Sequence, residues 1–287
     1  MKSTAKDETR PIPRQPPSLQ PDVSELITED DTPVDNLFSE KQQRLLTEPL
    51  YSSWTGGVNA PGEPTAKRRF LAAANVGLFP SVHQPPLVPD VFLSLDVEVA
   101  EDWYDKRHRS YFFWEFGKAP EVVIEIVSNR QGNELGSKLG DYARMGVAYY
   151  VVYDPAGELS EVPLQIYELH AGRYKPRSEG TLAGVGLGVM LWEGVYEDKP
   201  AVWLRWYDEN GVLIPTGAER AALEAENAAR ERDRAALEAE NAARERARAT
   251  REAERAEREA ERATREAERA ERLASKLRAL GVDPDHT

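Results

Sequence analysis

Cysteine is absent from this 287-residue chain, and histidine occurs only four times. The first absence excludes disulfides and thiolate-bound metals. With imidazole so scarce, a bound metal would rest on oxygen donors, which points to a hard ion such as magnesium. Long hydrophobic runs are missing too. No stretch approaches the roughly 18 apolar residues that a membrane span needs, and the opening MKSTAKDETRPIPRQPPS has no apolar signal region. The expectation is a soluble, cytoplasmic chain with no membrane partner. Basic charge is in deficit, with a formal net charge of −13. Binding to a polyanion through bulk electrostatics is therefore disfavoured, and a local basic patch would be needed. Lys67-Arg68-Arg69 and Lys106-Arg107-His108-Arg109 are the candidates. Solvated loop charge is the alternative for both.

What is present is a chain long enough for one sizeable domain and something more. Residues 1–21 are rich in proline and polar groups and read as disordered, and 28–33 read as an acidic turn. Ser39 with Gln42 makes a capping-box pattern at the start of a helix that carries Leu45, Leu46 and Leu50 inward. Gly56-Gly57, Pro61-Gly62 and Pro85-Pro86 are breakers, and the apolar run from Arg69 to Leu78 suits a helix or a strand equally. Asp90–Val99 alternates as a strand with Leu93, Leu95, Val97 and Val99 on one face. Pro120–Ser128 is apolar on both faces, as a central strand is, and a turn at 129–133 follows it. A helix from Glu134 to about Met145 ends at Gly146, and Ala148–Asp154 is another apolar strand. These three pieces form a βαβ unit, which predicts adjacent parallel strands. Short hairpins follow around Ala171-Gly172 and Asn210-Gly211, and the domain ends near Pro215.

From Arg220 onward the chain repeats every fourteen residues, or two heptads. Alanines such as Ala249, Ala253, Ala256 and Ala260 share a seam, which Arg232 and Arg246 interrupt. Ala, Glu and Arg are strong helix formers, and Glu240→Arg244, Glu254→Arg258 and Glu268→Arg272 stand at i, i+4 with the favourable polarity. One helix of roughly 90–100 Å is expected at 1.5 Å per residue, closed by Gly281 and Pro284. An alanine seam buries little apolar area, so weak self-association and an inert spacer remain equal alternatives.

Chemistry concentrates in three places. Cleaving a phosphodiester calls for a divalent cation to polarise the phosphate, carboxylates to hold it, and a further positive group near the attacking water. Asp90 after Pro89, Glu125 inside Val122–Val127 and Lys138 on the next helix supply them in order. Glu125 is the strongest member, because a charged group in an apolar strand costs several kcal/mol unless it is paired or metal-bound. The alternatives are a structural ion pair for Glu125, a turn-capping role for Asp90 and plain exposure for Lys138.

The segments VPDVFLSL, WEFGKAPEVVIEIVS and ELGSKLGDYARMGVAYYVVYDP resemble the Uma-type restriction endonuclease-like family of the PD-(D/E)XK nuclease superfamily. TEDDTPVDNLFSEKQQRLLTEPLYSSW is similar to the N-terminal part of one subgroup, and LRALGVDPD to the end of the charged tail that members often carry. The resemblance implies that Asp90 and Glu125 are metal ligands, joined by the main-chain carbonyl of Val127. The motif's lysine would fall at 127, where this chain has valine, and in the resembling family a lysine from the following helix substitutes, a role that Lys138 fits. Glu40 resembles an extra acid found in some superfamily members.

The expected fold is α/β: a mixed central sheet flanked by helices, restriction-endonuclease-like, followed by a long charged C-terminal helix. The expected segments are 1–21, a nuclease-like domain at 22–215, the heptad-repeat helix at 216–281 and a tail at 282–287. The expected activity is Mg²⁺-dependent (or Mn²⁺-dependent) endonucleolytic hydrolysis of DNA. The alternative is an inactive nuclease-like module whose long helix serves binding or homo-oligomerisation.

Overall fold

The computed structural model describes residues 36–54, 56, 68–102, 104–129 and 133–280. The expectations for 1–21, for 28–33, for Gly57 and Pro61-Gly62, for Lys67, for 130–132 and for the closing residues from Gly281 lie outside them. The chain divides into two compact units, Met1–Arg220 and Ala221–Thr287.

Helix α1 (Leu37–Ser53) opens the first unit. Its cap is Asn36, whose side chain accepts from the backbone N–H of Phe38 and Ser39 at 2.9 and 3.0 Å. Ser39, expected as the cap, is instead a buried residue inside the first turn. Leu45, Leu46 and Leu50 are buried as the spacing predicts. Strands β1 (Phe70–Ala74), β2 (Leu78–Phe79), β3 (Val91–Leu95) and β4 (Tyr111–Phe112) come next, then the short helix α2 (Phe113–Phe116). The run at 69–78 is thus a strand and a turn, with Asn75 in the left-handed region at φ +55°. Strand β5 (Val122–Ile126), helix α3 (Ser137–Met145) and strand β6 (Tyr149–Tyr153) make the βαβ unit, and Gly146 ends α3 at φ +84°. Strands β7 (Leu164–His170), β8 (Arg173–Arg177), β9 (Thr181–Leu182), β10 (Leu187–Tyr196) and β11 (Lys199–Asp208) complete the unit.

Six strands form the central sheet in the order β1-β3-β5-β6-β7-β8. Only the β5–β6 pair is parallel, in register from Val122↔Tyr149 to Ile126↔Tyr153; the other neighbours are antiparallel. Both faces of this mixed sheet are covered. On one, Val91, Leu93, Val122, Ile124 and Val151 pack with Leu46 and Leu50 of α1 and with Leu187, Leu204 and Trp206 of the β9–β11 sheet. On the other, Phe92, Val123, Val127 and Tyr150 pack with Tyr142 and Leu139 of α3 and with Leu78 and Tyr111 of the β2–β4 pair. This second cover explains why β3 is buried at all five positions rather than at alternate ones. The regular strand also stops at Leu95, because Asp96 turns to φ +56°.

The Ala171-Gly172 hairpin is present, with both residues at positive φ as a primed turn requires. The one expected around Asn210-Gly211 is present in short form: Leu213 bridges antiparallel to Tyr207, Asp208 donates its N–H to the Val212 carbonyl at 2.8 Å, and Ile214 donates to the Trp206 carbonyl at 2.9 Å. The long hairpin lies earlier, between β10 and β11, paired from Leu187↔Asp208 to Tyr196↔Lys199. Its turn residues are Glu197 and Asp198, at φ +45° and +62°, and they lack the glycine or asparagine that would have marked it. β11 is an edge strand, and α1 closes it. Gln42 donates to the carbonyl of Leu204 at 2.8 Å and accepts from its N–H at 2.9 Å. One buried side-chain amide therefore serves where a further strand would pair.

Helix α4 (Gly217–Ala279) begins inside the first unit and forms the second. Its start is a capping box: Thr216 Oγ1 accepts from the Glu219 N–H at 3.1 Å, and the Glu219 carboxylate accepts from the Thr216 N–H at 2.8 Å. The same carboxylate takes both arms of the buried Arg205 guanidinium at 2.9 and 2.6 Å. Beyond this turn the helix buries no side chain, and the three predicted ion pairs are present at 2.6, 3.6 and 3.6 Å. No helix among the described residues is long and apolar enough to cross a membrane.

Two tests follow from these anchors. Gln42→Ala strands two buried backbone groups of Leu204, and urea denaturation should register a loss of roughly 2–4 kcal/mol; an unchanged midpoint would mean that the edge is closed by something else. Partial burial pushes Glu219 up, but Arg205 and Thr216 together outweigh it and hold the carboxyl below its usual range. A carboxyl depressed in the folded state stabilises above its unfolded pKa and loses that contribution as pH falls through the folded one. Glu219→Gln should therefore lower the melting temperature at neutral pH and shrink the further fall on acidification below about pH 4. Parallel acid limbs for the two proteins would refute this.

Candidate active site

Glu125 and Lys138 meet on the α3 side of the sheet, and Asp90, just before β3, is bonded to the residue that follows Glu125. Glu125 occupies the fourth position of β5, between Val123 and Val127, and its side chain is 3 % exposed. Its Oε1 accepts from Tyr142 Oη at 2.7 Å, and its Oε2 accepts from Lys138 Nζ at 3.0 Å. Both partners stand on α3, one turn apart, so a single helix face answers both oxygens. Burial pushes the Glu125 carboxyl up, against the pull of Lys138 and Tyr142. Burial alone would lower Lys138, but the charge of Glu125 prevails and holds the ammonium above its ordinary value. Burial and the negative charge of Glu125 together push Tyr142 well above the usual phenol range, so it remains a donor.

Asp90 precedes β3 and is also buried. Its Oδ2 accepts from the Ile126 N–H at 2.6 Å, tying it to the residue next to Glu125. Its Oδ1 accepts from Gln43 Nε2 at 2.9 Å. Gln43 comes from α1, and its amide is oriented by a reciprocal pair with Asn75, whose Nδ2 donates to Gln43 Oε1 at 2.9 Å while Gln43 Nε2 reaches Asn75 Oδ1 at 3.2 Å. That pairing leaves only the amide nitrogen to face the carboxylate. Asn75 also donates its backbone N–H to the Asp90 carbonyl at 3.2 Å. The negative charge of Asp90 acts on Lys138 and on Tyr142, which places it in the same electrostatic field.

Glu134 is a fourth charged group here. Its side chain is 7 % exposed, its Oε1 lies 3.5 Å from Lys138 Nζ, and its Oε2 is buried with no hydrogen-bond partner among the described residues. Glu125 and Glu134 thus flank one ammonium, and Asp90 acts on it through its charge. Among the described residues no three His, Asp or Glu side chains gather in a metal-holding group. A magnesium ion does not need such a cage, since it commonly keeps several waters and takes only one or two carboxylates. The oxygen donors of Asp90 and Glu125 are of the kind that could hold a hard divalent cation.

The other sequence candidates are Val127, Glu40 and the two basic patches. Val127 lies one residue past β5, with its side chain buried and its N–H donated to the Tyr153 carbonyl at 2.8 Å. Glu40 is exposed and paired with Arg44 at 3.0 Å; the α1 residue that reaches Asp90 is Gln43. Of the basic patches, Arg68 is bonded to Asp96 at 2.8 and 2.6 Å, Arg69 to Glu98 at 2.7 Å and Arg107 to Asp105. These cations are engaged with neighbouring acids. Sequence reasoning missed Gln43, Asn75, Tyr142 and Glu134. The last two carried a signal, since each stands four residues from Lys138.

The sequence profile of the Uma2 family, described as "Putative restriction endonuclease", matches residues 33–182, more than half of the chain. The chain belongs to this family. The match takes in α1, β1 through β9 and the whole of the site just described. No curated protein matches the chain. Among solved structures it is similar to a "putative nuclease belonging to DUF820" from Anabaena variabilis ATCC 29413, at 14 % identity and a TM-score of 0.34, over 52 % of this chain and 71 % of that one.

Tyr142→Phe removes the donor from Glu125 Oε1 without changing the packed ring. An unsatisfied buried carboxylate oxygen should cost roughly 1–3 kcal/mol in denaturant unfolding. A variant as stable as the parent would show that Glu125 does not depend on the phenol.

Proposed function

We propose that the chain is an endonuclease that hydrolyses DNA phosphodiester bonds with a divalent cation, Mg²⁺ or Mn²⁺. The observation that carries this reading is the meeting of Asp90, Glu125 and Lys138. Asp90 is bonded to the N–H that follows Glu125, and Lys138 is 3.0 Å from Glu125 Oε2. Bound at this point, the cation would polarise the phosphate and acidify a water.

The chain's own residues do the rest. Asp90 and Glu125 would hold the cation, with the main-chain carbonyl of Val127 as a further ligand. Gln43 and the Ile126 N–H fix the plane of the Asp90 carboxylate, and Tyr142 fixes Glu125. Such orientation matters because ligating oxygens must be held within a fraction of an ångström. Lys138, three-quarters buried on its side chain, would orient the attacking water and face the charge that builds on the phosphate oxygens. Glu40, engaged with Arg44, would stand outside this set. Membership in the family supports phosphodiester chemistry, and the oxygen-only donor set supports the choice of cation.

The test is supercoiled plasmid incubated with Mg²⁺ or Mn²⁺ and the wild type, Asp90→Asn, Glu125→Gln or Lys138→Met. Nicking by the wild type is expected, with a loss of about 10²-fold or more in each variant, the scale of removing one group that stabilises developing charge. Chelation should abolish it in all four. Equal nicking by wild type and variants would refute the assignment.

A further inference from the structure

Both oxygens of Glu125 are already taken, Oε1 by Tyr142 and Oε2 by Lys138. A cation held by Glu125 must compete with the ammonium for Oε2. An ammonium displaced from there needs another anionic seat within reach, because a buried, unpaired charge costs several kcal/mol.

Such a seat exists. Lys138 Nζ is 3.5 Å from Glu134 Oε1 and lies between the two carboxylates. Glu134 has an oxygen to spare, since its Oε2 is buried with no hydrogen-bond partner among the described residues. Its position is fixed from below by the core: its backbone carbonyl accepts from Tyr150 Oη, on β6, at 3.0 Å. Among the described residues Glu134 is not part of a three-acid ligand group, and its burial rules out a surface role. Its negative charge also acts on Glu125 and so opposes ionisation there, a standing cost unless the residue does something in return.

We propose that Glu134 is a positioning residue, the carboxylate onto which Lys138 swings when Glu125 gives Oε2 to a divalent cation. The inference rests on the metal-binding reading above. Glu134 then does two things. It lowers the cost of clearing Oε2, and it holds the ammonium beside the cation instead of letting it leave for solvent. The movement is short, because the ammonium already touches one carboxylate and approaches the other.

The experiment is a double-mutant cycle on the full chain, with Mn²⁺ alone as the probe and its affinity read by calorimetry, without nucleic acid. The four proteins are wild type, Glu134→Gln, Lys138→Met and the double variant. With Lys138 in place, Glu134→Gln should weaken Mn²⁺ by about tenfold, because the ammonium then stays on Glu125; in the Lys138→Met background the same change should matter less than about twofold. Equal weakening in both backgrounds would overturn the inference, since a direct ligand or a simple long-range charge acts whether or not Lys138 is present. If the wild type binds no Mn²⁺, the metal reading falls and this one with it, which separates the two failures. Glu134→Asp keeps the charge and should give an intermediate loss only when Lys138 is present, so the cycle stays readable if Glu134→Gln does not fold.

Discussion

The carboxylate of Glu125, set into the middle of an apolar strand, imposes the terms that the surrounding structure meets. Water cannot solvate it there, so every lone pair must find a protein donor or a cation. Helix α3 supplies Tyr142 and Lys138, and it can do so only if it lies across β5. The parallel β5–β6 pair guarantees that placement, because a crossover between adjacent parallel strands must return over one face of the sheet. The sheet therefore has one parallel pair among antiparallel ones for a local reason: the connection carries the partners of Glu125. Asp90 is brought in from the other side by antiparallel pairing of β3 with β5, and its bond to the Ile126 N–H locks the two strands at the point where the acids meet.

How far this was legible from the chain depends on what sort of signal each element carries. The βαβ unit announces itself through two near-continuous apolar runs, a helical spacing between them and Gly146 at the helix end. The three charged residues of the site stand out because they interrupt or border those runs. The β10–β11 hairpin left no such mark. Its turn is made by Glu197 and Asp198, acids held at positive φ by the pairing of ten-residue strands rather than by local preference. Tertiary pairing overrides the turn signal there, while the legible Asn210-Gly211 dipeptide makes only a short turn back onto the end of β11. Gln43 was illegible for a related reason. A glutamine in a helix is unremarkable until Asn75, far along the chain and in a left-handed conformation, turns its amide toward Asp90.

The two units manage charge in opposite ways. Along α4 every carboxylate and guanidinium is exposed, and the i, i+4 pairs contribute only a few tenths of a kcal/mol each. Many small, solvated terms suffice for an alanine-rich helix. In the site a few buried charged groups dominate, and they are unequal in number: the acids Asp90, Glu125 and Glu134 beside the single base Lys138.

That imbalance bears on how an acidic protein could engage an acidic substrate. With a net charge of −13 and with Arg68, Arg69 and Arg107 already paired to neighbouring acids, the surface offers DNA little general attraction. On the nuclease reading, the attraction must be local. A bound divalent cation would cancel the surplus negative charge of the three carboxylates and leave Lys138 as a positive group beside it. The affinity for phosphate would then be conditional on the metal, and the same acids that by themselves repel the backbone would become the means of drawing it in.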